Sequence, residues 1–139
     1  MEKSPFQFSN PVLRTLRMQL NDGFSIPSGG SVPAETHFQS YVTPSQTEPT
    51  AVVSLKFQMG KSDNRFPFFL EAEMAAQFAW DTQASDATVK IWLSQNAPAL
   101  LLSYLRPIVA NTINATGLPP YNIPFMNFTA GRSIVEQHK

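Results

Sequence analysis

The chain has 139 residues and a mass of 15.4 kDa, which suits one domain, residues 1–139, with a real core and leaves little room for two. Ten Lys and Arg balance ten Asp and Glu, so no net charge draws it to nucleic acid or to an anionic membrane. Cysteine is absent, which excludes disulfides, thiolate zinc sites and a cysteine nucleophile.

The opening stretch MEKSPFQFSNPVLRTLRMQL has no uninterrupted apolar core, so no secretory signal is expected and the cytoplasm is the expected location. From Leu16 to Leu20, apolar Leu16, Met18 and Leu20 alternate with Arg17 and Gln19, the period of a strand with one buried face. Asn21, Asp22 and Gly23 read as a turn; Phe24 and Ile26 continue the edge until Pro27, Gly29, Gly30 and Pro33 impose a loop. A second strand is placed at about Glu35 to Val42.

After the loop PSQTEP, Val53, Leu55, Phe57 and Met59 share one face of a strand from Val52 to Met59, with Val52, Ser54, Lys56 and Gln58 opposite. The polar residues 60–64 then join it as a hairpin to the last and longest strand. There Phe66, Phe68, Leu70, Ala72 and Met74 make one face that runs on to Phe78 and Trp80, while Phe69, Glu71, Glu73 and Gln77 make the other.

The period now changes from two to that of a helix. Asn96 is the expected N-cap, Pro98 falls in the first turn, and Leu101, Leu105, Ile108 and Thr112 form a stripe that ends at a C-capping Gly117. Pro107 inside the stripe predicts one bent helix. No charge occurs between Lys90 and Arg106, but Ser94, Gln95, Asn96, Pro98 and Ser103 interrupt the run, which reads as a buried or interface segment and not a membrane span. The following GLPPYNIPFMNF is extended and rich in apolar side chains, and Arg132 to His138 suffice for one or two helical turns. A four-stranded antiparallel β-meander, a long helix, a proline-rich connection and a short C-terminal helix make an α+β domain with the helix on one sheet face.

The chemistry-bearing residues are few. Glu71 and Glu73 lie two apart on one strand face, where a solvated or partner-facing surface is a better reading than an acid and base pair. His37 and His138 sit at opposite ends with no ligand spacing, so no metal is expected, and no G-x-S-x-G elbow or glycine-rich phosphate loop occurs. Nothing here assembles into an enzyme. The residues that invite a binding role are apolar: Leu118, Tyr121, Ile123, Phe125 and Met126, aromatic and Met side chains that adapt to varied extended peptides. Any one of them reads more readily as core beneath a loop; Tyr121, whose hydroxyl seeks water or a partner, leans toward a groove rim.

The string LLSYLRPIVANTINATGLPPYNIPFMNF resembles the SecB family, in which a long helix ends at a Gly and passes through a Pro-rich crossover to an Asn-Phe pair, here Asn127 and Phe128. FFLEAEMAAQFAW is similar to the family's fourth strand, with Phe69 and Glu71 matching an apolar-then-acidic pair on the exposed sheet face. The resemblance implies a sheet that pairs with another copy and dimers that associate through their helices into a tetramer. It implies an ATP-independent holdase, with no cofactor, that binds unfolded preproteins in apolar grooves and delivers them to the SecA motor for export. Carried onto this chain, the groove candidates are Leu118, Tyr121, Ile123, Phe125 and Met126, and the SecA-facing candidates are Phe69 and Glu71. The chain departs from the family's acidic pattern by its neutral charge, with Asn21 and Ser25 where acidic residues would align. The alternative is therefore a SecB-like adaptor dedicated to a single partner such as an antitoxin, without SecA binding.

Overall fold

The computed structural model describes residues 4–25 and 35–118. Five strands, β1 (Phe6–Phe8), β2 (Val12–Leu20), β3 (Thr36–Pro44), β4 (Thr50–Gly60) and β5 (Phe68–Trp80), form one antiparallel sheet. Two helices follow, α1 (Asp86–Ile91) and α2 (Ala97–Asn114), joined without a break by a π-helical turn, Trp92–Asn96. The class is α+β, as the alternation followed by a helical stripe predicts.

The sheet departs from a plain four-stranded meander in two ways. β3, β4 and β5 are consecutive neighbours, but the first long strand pairs with the last, β2 with β5, so the chain after β2 crosses to the far edge before β3. A period-two pattern identifies a strand without naming its neighbour, and the long Gly- and Pro-bearing stretch between β2 and β3 permits the crossing. The fifth strand is β1, which pairs with the other end of β5, Phe6 opposite Trp80 and Phe8 opposite Phe78. Ser9 extends this pairing, its N–H donating to the Gln77 carbonyl at 2.9 Å and its hydroxyl accepting from the Gln77 N–H at 3.0 Å. Pro11, which has no N–H for a ladder, then separates β1 from β2, so that both occupy one edge of β5. β2 itself begins at Val12, four residues before the expected Leu16, with a register shift between Leu13 and Thr15.

The predicted faces are the observed ones. Val53, Leu55, Phe57 and Met59 of β4 and Phe68, Leu70, Ala72, Met74 and Phe78 of β5 are buried against Leu101, Leu102, Leu105, Val109 and Ile113 of α2. Fully burying each of these Val, Leu, Ile, Phe and Met side chains contributes about 1.5–3 kcal/mol relative to leaving it in water. Phe6 ties β1 to both layers, stacking on Phe78 at 5.2 Å and on Trp92 at 5.0 Å between ring centroids. Phe66, expected in the strand, precedes it, and its ring lies below the Lys61 ammonium and the Arg65 guanidinium.

The helix starts ten residues earlier than Asn96. Ser85 caps it, its hydroxyl accepting the Thr88 N–H at 3.2 Å, and Asp86 adds a negative charge to the first turn. Asn96 has helical dihedrals and makes no cap bond. The π turn ends two residues before Pro98, which can offer no N–H to the Ser94 carbonyl; widening the turn, with the Ala97 N–H bonded to the Trp92 carbonyl, makes room for the buried ring. Pro107 is inside α2 and Gly117 follows its end at φ +80°, both as expected. The crossover segment from Pro119 and the short C-terminal helix lie outside the described residues.

Candidate functional site

The sheet's two faces offer different chemistry. On the face away from α2, β5 presents Phe69 and Glu71, both half-buried. Register places Glu71 between Arg17 of β2 and Gln58 of β4, and Glu73 between Thr15 and Lys56. The Glu71 carboxylate is already engaged: Lys56 Nζ stands 3.5 Å from Oε1, and Gln58 Nε2 donates to Oε2 at 3.2 Å. Only 14% of the Glu71 side chain is exposed. Each carboxylate on this face thus has a cation as strand neighbour, and the face is a mixed polar surface in place of an acidic one.

The edge of this face near β2 is held by Asn21. Its side-chain Nδ2 donates to three main-chain carbonyls of the β4–β5 loop, Lys61 at 2.7 Å, Asp63 at 2.9 Å and Phe66 at 2.9 Å, while its own N–H donates to Pro67 O at 2.9 Å. Only an amide supplies a donor there; a carboxylate would face three carbonyl oxygens. In the same loop Arg65 pairs with Asp63 at 3.0 Å and holds that carboxyl below its usual 3.8. Across the hairpin, His37 at 3.1 Å and Lys61 at 3.3 Å both reach Glu35 and lower its titration below 4.5. His37 is a surface residue.

The helix side carries the apolar surfaces. A groove of about 590 Å³ opens between α1 and the end of the sheet, lined by Val42, Pro44, Trp80, Val89 and Leu93 and bordered by exposed Asp86 and Lys90. This groove is invisible when the helix is started at Asn96, because α1 forms one of its walls. The signal that reveals it is Ser85 with Asp86 and Thr88 behind it, ahead of Val89 and Leu93 at helical spacing. At the opposite edge of the layer, β2 turns Leu13, Leu16, Met18 and Leu20 to the helix side, as their partners Met74, Ala72, Leu70 and Phe68 require, yet α2 packs over β5 and β4. Leu13, Leu16 and Leu20 are left 38%, 43% and 42% exposed.

Of the groove candidates, Leu118 alone is among the described residues. It is half-buried and packs against the core at the end of α2, its N–H 3.4 Å from the Thr116 hydroxyl. Tyr121, Ile123, Phe125 and Met126 lie outside them. Among the described residues no three His, Asp or Glu side chains gather at metal-binding range, and no helix is long and apolar enough to cross a membrane.

The family model of SecB, preprotein translocase subunit SecB, matches residues 35–132. Among solved structures, the Mycobacterium tuberculosis Rv1957 SecB-like chaperone, in complex with a ChAD peptide from the Rv1956 HigA1 antitoxin, is similar at a TM-score of 0.69 and 16% identity, with 88% of each chain covered. A protein of unknown function from Streptococcus agalactiae aligns at a TM-score of 0.44 and 13% identity over 86% of this chain and 97% of that one. No curated protein matches the sequence. At these identities the structural likeness is one of fold.

Proposed function

This chain belongs to the SecB family, and we propose that it is an ATP-independent holdase that binds apolar segments of unfolded polypeptides. The observation that carries the reading is the apolar surface left open on the helix side, the α1 groove with Trp80 at one edge and the uncovered leucines of β2 at the other. Surfaces of this kind, apolar at the centre with polar groups at the border, suit extended chains of varied sequence. Leu118, Tyr121, Ile123, Phe125 and Met126 supply further contacts, the whole of residues 1–139 acts as one unit in the cytoplasm, and copies assemble as a dimer or a dimer of dimers. No nucleotide, metal or covalent step enters: the client is held by multivalent apolar contact and leaves when a receptor or its own folding captures it. The test is the double variant Tyr121→Asp with Phe125→Asp. It should weaken binding of an unfolded polypeptide by about tenfold or more while assembly is unchanged; unchanged affinity in a folded variant contradicts the assignment.

Delivery to SecA for preprotein export through Phe69 and Glu71 is the first reading of the destination, but the pairing of Glu71 with Lys56 and Gln58 favours the second. A basic motor surface finds little unpaired negative charge there. The second reading is an adaptor dedicated to one partner, such as an antitoxin; the M. tuberculosis SecB-like chaperone in complex with an antitoxin peptide supports it. Measurable SecA binding that Glu71→Gln abolishes would favour export over the dedicated role.

A further inference from the structure

We propose that the sheet face away from α2 carries a docking site for an acidic segment of a partner protein, which sets a carboxylate on Arg17 and an apolar side chain on Phe69. A pocket of about 440 Å³ opens there, lined by the β2 stretch Leu16 to Gln19, by Ser62 of the β4–β5 loop and by Phe69 of β5. Arg17 is the one charged residue among these. Its strand neighbour Glu71 would be its natural partner, but that carboxylate is turned to β4, where Lys56 stands 3.5 Å from Oε1 and Gln58 donates to Oε2 at 3.2 Å. The cations of the adjoining β4–β5 loop are also engaged, Lys61 with Glu35 and Arg65 with Asp63. Arg17 is exposed and, among the described residues, makes no ion pair. The charge that the pocket offers to a partner is therefore positive.

Register fixes the spacing of the two contacts. Gln19 is opposite Phe69 and Arg17 is opposite Glu71, so Arg17 and Phe69 are diagonal neighbours on one face, roughly 7–8 Å apart. In an extended peptide, side chains two residues apart project to the same side at a spacing of about 6.8 Å, which matches. The occupant is thus an extended segment in which an Asp or Glu and an apolar residue are separated by one residue. The guanidinium supplies a planar fork for the carboxylate, and the half-buried Phe69 ring takes the apolar side chain. Gln19 spends one amide hydrogen on the Leu20 carbonyl at 3.2 Å and keeps its oxygen for a peptide N–H. A basic segment would meet like charge at Arg17 and find the Glu71 side chain only 14% exposed. A partner held here leaves the helix-side apolar surfaces open, so the site gives the sheet a second binding function.

The probe is an acetylated and amidated peptide, Gly-Ser-Glu-Ser-Phe-Ser-Gly, whose only charge is the Glu carboxylate. It is titrated into the isotope-labelled full chain and followed by backbone amide shifts. Saturating shifts at Arg17, Gln19 and Phe69 are expected, with affinity about fivefold lower for the peptide with Gln in place of Glu and for the Arg17→Gln protein. Arg17→Glu should lose the Glu peptide and bind the peptide with Lys in its place, a reversal that misfolding would not produce. No saturating shift, shifts confined to Val89 and Leu93 of the helix-side groove, or equal affinity for the Glu and Gln peptides would overturn the proposal. The holdase reading concerns the other face and an unfolded client, so it stands or falls separately.

Discussion

Asn21 shows how one side chain decides what a surface can do. Its amide satisfies three carbonyls of the β4–β5 loop, so the position cannot carry an acidic residue without damage to the hairpin. Asn21→Ala removes donors and should cost about 1–2 kcal/mol; Asn21→Asp adds a charge facing carbonyl oxygens and should cost about 2–3 kcal/mol or more, read as a lower urea midpoint with unchanged slope. An Asp variant as stable as the native protein would show that the amide does not hold the loop. Glu71 teaches the same lesson on the neighbouring strand. Its face and its neighbours in sequence are legible from alternation, but Lys56 and Gln58 reach it only through the register of β4 against β5, which no local pattern encodes.

Among the elements, those with many alternating apolar residues were readable and those defined by polar punctuation were not. β4 and β5 bury the faces their sequences predict because Val53, Leu55, Phe57, Leu70 and Phe78 have no alternative to a core. β1 is three residues long, too short for a period, and is fixed by the Phe6 stack between Phe78 and Trp92, a tertiary contact. The helix start is hidden in the sequence because Asn96 before Pro98 imitates a capped N-terminus, while the widened turn that accommodates Pro98 leaves no mark in composition. Ser85→Ala should therefore destabilise the protein by about 1 kcal/mol in thermal or urea unfolding, and Asn96→Ala should change it by less than about 0.5 kcal/mol. The reverse order of effects would place the functional start of the helix at Asn96.

At the scale of the whole molecule, a sheet with one face covered by a helix and one edge strand left apolar is incomplete as a folded surface. Low overall charge, 14% of residues, announces this from composition, and the uncovered leucines of β2 locate it. The class of fold and the family were legible because a long helix ending at Gly117 before a proline-rich stretch is a distinctive string. The groove under α1 was not, since it exists only where a helix, the end of β3 and Trp80 meet. Holding a non-native chain requires such surfaces to discriminate by exposure of apolar segments and not by sequence. The most direct test titrates the purified protein with a reduced, unfolded polypeptide and, in parallel, with the folded form of the same polypeptide, followed by calorimetry and co-elution. Binding of the unfolded form alone, with a negative heat-capacity change from apolar burial, is the predicted result; equal binding of both forms, or of neither, would contradict a holdase.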